Sequence, residues 1–141
     1  MRVYLDASVI VPTLVDEAAS PVVDRYLKGL DRRPIVSDFS AAEVASVVSR
    51  LVRTGQLKVA EAQLKLSEFD AWCVTDTEEL AVHSSDIRLS ATLVRRFDLK
   101  LRAPDALHIA ACRRLGVPLV TLDRRLSLAS AQLSVQARLL Q

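Results

Sequence analysis

Residues 104–123 read PDALHIAACRRLGVPLVTLD. One helix and one strand are written there with the boundary between them. Pro104 suits the first helical turn, where a missing N–H costs nothing. Gly116 stands where a left-handed residue stops the helix. Pro118 to Thr121 then form a short apolar run that reaches an acid, Asp123.

Outward from this unit the same alternation of short strands and longer helices covers the chain. Val3-Tyr4-Leu5 is a buried-type strand that stops at Asp6. Residues 12–29 read as two short helices broken near Ser20-Pro21. Ile35-Val36 is a strand. From Asp38 or Ser40 to about Thr54, Val44, Val47, Val48, Leu51 and Val52 repeat at helical spacing, and Gly55 ends the run. Residues 58–72 form another amphipathic helix, with Phe69 and Trp72 as core residues. Cys73-Val74-Thr75 reads as a strand. A helix follows from about Glu78, with a break near Ser84-Ser85, and reaches Phe97 on an inner stripe of Ile87, Ala91 and Val94. Arg124 to Ala131 is a short helix and Leu133-Ser134-Val135 an edge strand. Strands alternating with helices predict an α/β domain with a mostly parallel sheet.

The whole is one domain, residues 1–141. Half of the chain is apolar, 26% is charged, and mean hydropathy is +0.22, which excludes disorder. The longest apolar stretch, Val3 to Val15, is interrupted by Asp6 and Pro12 and falls short of the roughly 20 residues that span a bilayer. An acid so placed also argues against a signal peptide. Cys73 and Cys112 make no disulfide framework, and His83 and His108 have no partners at zinc-ligand spacing. These absences fit a cytoplasmic location without membrane contact.

Two strands end in acids, at Asp6 and Asp123. Ligands of open parallel sheets gather outside the carboxyl ends of the strands. Asp105 lies in the first turn of its helix and Glu43 in the first turns of the 38–54 helix. Three of the four acids also have a structural reading. Asp105 complements a helix dipole. Glu43 stands three residues after Ser40, a capping-box spacing. Asp123 caps the helix after it. Asp6 has no such account, since an acid following an apolar strand gains nothing from burial. As a set, four converging carboxylates either take up protons or are neutralised by a cation. All-oxygen donors select Mg²⁺ or Mn²⁺, and such a site suits phosphoryl transfer with a metal-activated water.

Asp6-Ala7-Ser8, Glu43, Pro104-Asp105-Ala106-Leu107-His108-Ile109-Ala110-Ala111 and Leu119-Val120-Thr121-Leu122-Asp123 together resemble the PIN-domain nucleases, most closely the VapC type, the toxin half of bacterial type II toxin–antitoxin pairs. The resemblance covers the chain in order, although residues 124–141 depart from the usual ending. It implies a three-layer α/β/α sandwich and a Mg²⁺- or Mn²⁺-dependent endoribonuclease. It also implies a catalytic and metal-binding set of Asp6, Glu43, Asp105 and Asp123. Ser8 and Thr121 match small hydroxyl residues of the family, which either hold a water or orient Asp6 and Asp123; otherwise they finish turns and strands. A cognate VapB-type antitoxin is implied as partner, with the 38–54 and 58–72 helices as its groove. The resemblance also implies a homodimer or a hetero-oligomer with the antitoxin.

With the four site acids set aside, 13 of the 17 acids remain against 19 bases, a balance of +6. A basic body around an acidic pocket suits a polyanion. Arg124 and Arg125, next to Asp123, are the candidate substrate contacts; the Arg pairs 32–33, 95–96 and 113–114, with Lys100 and Arg102, read as solvated faces. Only 4% of residues are aromatic, so base-stacking platforms are few and a structured RNA is the expected target. His108, one turn after Asp105, is either a general base or, the favoured reading, a helix-face histidine hydrogen-bonded inside the fold. A housekeeping RNA-processing nuclease and a non-catalytic RNA- or protein-binding module are the alternatives. A dehalogenase-type phosphatase would want an acid where Ser8 stands, and a receiver domain an adjacent pair of acids near the first strand.

Overall fold

The computed structural model describes residues 1–141. The chain runs β1 (Tyr4–Leu5), α1 (Ala7–Leu14), α2 (Ser20–Lys28), β2 (Ile35–Ser37), α3 (Asp38–Arg53), α4 (Val59–Asp76), β3 (Glu78–Leu80) and α5 (Ser84–Leu93). A 3-10 turn (Phe97–Leu99) then leads to α6 (Ala103–Leu115), β4 (Leu119–Thr121), α7 (Arg124–Gln132) and β5 (Ala137–Leu139). The strands form one sheet in the order β3-β2-β1-β4-β5, and every neighbouring pair is parallel. Parallel neighbours need crossovers, and the helices supply them.

The pleat of β1 divides the core. Val3 and Leu5 face one layer, with Val9, Ile10, Val23, Val44 and Phe69 from α1 to α4. Tyr4 faces the other, with Ala106, Ile109, Ala110, Leu126 and Ala129 from α6 and α7. Alternate side chains of a strand point to opposite faces, so three adjacent residues build both interfaces of the α/β/α sandwich. No helix is long and apolar enough to cross a membrane.

Four expectations are corrected. The first helix begins at Ala7, directly after Asp6, and not at residue 12. Its Val9-Ile10-Val11 run is wholly buried, so no helical period shows in the sequence. Residues 73–75 are not a strand but the last turns of α4. Cys73 extends the buried line of Ala62 and Phe69, while Val74 and Thr75, despite their β-branching, face out. The strand is Glu78-Glu79-Leu80, a polar, largely exposed edge with no apolar signal. Helix α5 therefore starts at Ser84 and buries Asp86, Ser90 and Leu93, while Ile87 is 55% exposed. The final strand lies at 137–139, not 133–135, because Ser134 adopts a left-handed φ of 63° and the Val135 N–H still bonds back to Ser130 in α7.

Buried Asp86 explains the α5 register. Its carboxylate accepts the His83 N–H at 2.8 Å and two guanidinium N–H groups of Arg114 at 2.9 and 3.0 Å, which ties α5 to α6. Burial pushes its pKa up, but Arg114 and the helix-capping N–H outweigh this, and the net shift is downward. A depressed carboxylate stabilises the fold above its ordinary pKa and stops doing so as pH falls through the lowered value. Asp86→Ala is expected to cost about 2 kcal/mol at pH 7. In urea titrations its deficit against the parent should shrink as pH falls below the ordinary carboxylate value.

Candidate active site

The sheet order places β1 and β4 side by side, where consecutive connections depart in opposite directions. This is the switch point at which a parallel sheet opens a crevice. Both strands carry an aspartate just beyond their carboxyl ends. Asp6 is 5% exposed and is the N-cap residue of α1, yet its side chain makes no cap bond. Instead the Ser8 hydroxyl donates to one carboxylate oxygen at 2.6 Å and the Thr121 hydroxyl to the other at 2.8 Å.

Each hydroxyl relays a backbone N–H. Ser8 accepts from Leu122 N and Thr121 from Asp123 N, both at 3.0 Å. The chain leaving β4 is thereby bound to Asp6. Burial pushes the Asp6 pKa above the carboxylate range. Ser8, nearby His108 and Thr121 pull it back, and nearby Glu43 pushes it higher.

Glu43 does not cap its helix. The N-cap of α3 is Ser37, whose hydroxyl accepts from Ser40 N at 2.9 Å, which leaves Glu43 a turn too far along. Its carboxylate meets Nε2 of His108 at 2.5 Å, and the Tyr4 hydroxyl lies 2.7 Å from the other ring nitrogen. His108 is thus hydrogen-bonded inside the fold, the reading favoured from the sequence.

Asp105 and Asp123 do what their local sequence announces. Asp105 accepts the Arg102 N–H at 3.2 Å at the start of α6. Asp123 caps α7 by accepting from Arg125 N and Leu126 N at 2.9 and 3.2 Å. The Arg125 side chain lies 3.5 Å from Asp105, so the two helix starts meet. Hydrogen bonds thus tie Glu43 to His108, and Asp6 through Thr121 to the Asp123 N–H, while Arg125, whose backbone N–H is held by Asp123, lies beside Asp105. As the side chains stand, no three acidic, histidine or cysteine groups are close enough to hold a metal ion. The donor chemistry nevertheless fits a hard divalent cation. It is all oxygen, and the buried Asp6 carboxylate has only neutral hydroxyls as direct partners.

Of the other arginines, Arg114 serves Asp86 and Arg96 pairs with Asp98, while Arg32 and Arg33 precede β2, at the opposite end of the sheet. Two structural features were not read from the sequence: Ser37 as the α3 cap and the Tyr4–His108 bond. Ser37-x-x-Ser40 was legible as a cap spacing. Tyr4 read only as an apolar strand residue.

A family model described as the PIN domain matches residues 3–131. Ribonuclease VapC46 of Mycobacterium tuberculosis is 33% identical over 117 residues, which cover 83% of this chain and 78% of that protein. Among solved structures, VapC20 of Mycobacterium tuberculosis, a sarcin-ricin loop cleaving toxin, superposes with a TM-score of 0.71 at 17% identity over 90% of this chain and 94% of its own. FitAcB of Neisseria gonorrhoeae gives 0.75 at 16% over 96% and 95%. VapBC2 of Rickettsia felis, bound to a DNA fragment from the promoter of its own genes, gives 0.73 at 16% over the whole of both chains. At these identities the structural likeness is one of fold.

The Asp6 environment has a measurable consequence without any metal. An acid whose folded pKa is raised lowers stability at pH above its unfolded pKa, and the penalty vanishes as pH falls through that unfolded value. Metal-free Asp6→Asn is expected to be more stable than the parent at pH 7, by on the order of 1 kcal/mol. In chelator-treated thermal melts the advantage should close as pH falls toward about 4.

Proposed function

The chain belongs to the PIN domain family, in its VapC branch, and on that premise we propose that it is a Mg²⁺- or Mn²⁺-dependent endoribonuclease, the toxin of a toxin–antitoxin pair that inhibits translation. The observation that carries this reading is the buried Asp6 carboxylate, fixed at the β1–β4 switch point by two hydroxyls and left without a cation of its own. Such a group destabilises the fold it sits in. A function that needs concentrated negative charge there accounts for its presence.

Asp6, Glu43, Asp105 and Asp123 would hold the ion. The chemistry such an ion would supply there is Lewis-acid activation of water and offset of charge on a phosphoryl group. The chain's own residues supply the framework. Ser8 and Thr121 fix both oxygens of Asp6, so that carboxylate cannot rotate. Arg125, exposed over half its side chain and near Asp105, is placed to contact a phosphate, with Arg124 beside it. The balance of +6 outside the four acids favours a polyanion held by its backbone.

A structured RNA, a VapB-type antitoxin and assembly with that antitoxin or as a homodimer complete the proposal. The likeness to VapBC2 supports the antitoxin, and exposed Val59, Leu64 and Val74 on α4 support its docking near the α3–α4 pair.

Asp6→Asn is expected to lower Mg²⁺-dependent cleavage of folded RNA by at least about 100-fold while the protein stays folded. Expression of the parent should arrest growth, and co-expression of the neighbouring small open reading frame should relieve the arrest. Cleavage without arrest would identify a housekeeping nuclease, and RNA binding without metal-dependent cleavage a non-catalytic module. Arg125→Ala should weaken RNA binding and reduce the slope of log affinity against log salt by about 1, measured by filter binding.

A further inference from the structure

His108 is buried in a helix segment whose neighbours Ala106, Leu107, Ile109, Ala110 and Ala111 are all buried and apolar. A leucine would fill that space without a polar group to satisfy. Resting on the acidic site proposed above, we infer that His108 is a positioning residue for Glu43, holding that carboxylate at the mouth through a strut anchored on β1 and β2.

The ring has little freedom. The Tyr4 ring meets it edge-on at 5.5 Å between centroids, and Phe39 packs on it at 5.3 Å. Both nitrogens are engaged. A carboxylate only accepts, so the hydrogen of the Glu43 contact resides on Nε2. Nδ1 faces the Tyr4 hydroxyl at 2.7 Å. The Tyr4 hydroxyl also bonds the Ser37 hydroxyl, 2.7 Å away, and Ser37 donates to the Ser40 hydroxyl at 3.1 Å. The Ser40 hydroxyl donates to the carbonyl of Leu5, the residue before Asp6, at 3.0 Å. Ser37, Ser40, Tyr4 and His108 thus form one connected hydrogen-bond network, and Glu43 stands at its end.

The cap of α3, the end of β1 and the middle of α6 therefore converge on one flexible acid that has no cap role of its own. A glutamate held in this way loses its rotamer freedom during folding rather than when a ligand arrives. Outer partners of this kind typically change metal affinity by roughly 10- to 100-fold when removed.

The test uses Mn²⁺ alone as probe, with its dissociation constant measured by electron paramagnetic resonance on folded, RNA-free protein well below the melting temperature. The variants are His108→Leu, His108→Gln and Glu43→Gln. His108→Leu is expected to weaken Mn²⁺ binding by roughly 10- to 100-fold, in line with Glu43→Gln. His108→Gln, which keeps an N–H donor on the side chain, should stay within a few-fold of the parent. Parent-like affinity in His108→Leu, with Glu43→Gln still impaired, overturns the inference and leaves the acidic site standing. A parent that does not bind Mn²⁺, or a Glu43→Gln variant that binds as the parent does, overturns the site reading and this inference with it. Should His108→Leu fail to fold, the parent's imidazole nitrogen NMR spectrum decides. A proton on Nε2 supports the strut, and a ring protonated only on Nδ1 overturns it.

Discussion

Burying a carboxylate beside no cation is the constraint around which this fold is arranged. Asp6 sits where the two central strands end, and no arginine or lysine pairs with it. Two hydroxyl groups, one from the helix after β1 and one from β4 itself, share its charge. Each hydroxyl is polarised by a backbone N–H behind it, and chains of hydrogen bonds strengthen in a low-dielectric interior. The same bonds fix the turn that launches α7, so the geometry of Asp123 and Arg125 follows from the need to satisfy Asp6. Electrostatics at one residue thereby sets the backbone of another element more than a hundred residues away in the chain.

The four acids are held in three different ways. Asp6 is clamped by hydroxyls, Glu43 is joined to a histidine, and Asp105 and Asp123 accept from the first N–H groups of their helices. Capping and ligand binding are not competing explanations for the last two. A helix start offers N–H donors that hold one oxygen of a carboxylate and leave the second, and the positive end of the dipole offsets part of the repulsion among neighbouring acids. Structural and chemical readings of Asp105 and Asp123 therefore describe the same geometry.

Much of this was legible in the sequence because the central elements are buried and bounded. Apolar runs ending in acids marked β1 and β4, and Pro104 and Gly116 bracketed α6 to within a residue. Where the reading failed, a local pattern was overruled by position in the fold. Val74 and Thr75 have strand-like side chains, but the buried line through Phe69 and Cys73 keeps them helical. Glu78 and Glu79 carry no strand signal because an edge strand need not be apolar. Helical spacing puts Ile87 on the inner stripe, yet the inward residue is Asp86, buried because Arg114 in another helix satisfies it. That information is tertiary, and no periodicity contains it. The pairing of Tyr4 with His108 was hidden for the same reason, since a tyrosine in a buried strand reads as an apolar residue until its hydroxyl has a partner.

The mouth of the site also explains how a chain can carry its own arginine beside its acids without closing the pocket. The Arg125–Asp105 separation of 3.5 Å is long for a charged hydrogen bond, and the arginine side chain is 53% exposed. Exposed pairs of this kind are worth about 0–1 kcal/mol, because water and salt screen them. Arg125 therefore tempers the repulsion among the acids at little energetic commitment. The buried partners of Asp6 and Glu43 are different in kind: desolvated, directional and mutually dependent, they are not exchanged. The site thus combines a rigid floor, set by buried hydrogen bonds on both sides of the sheet, with a rim whose cation is exposed and weakly held.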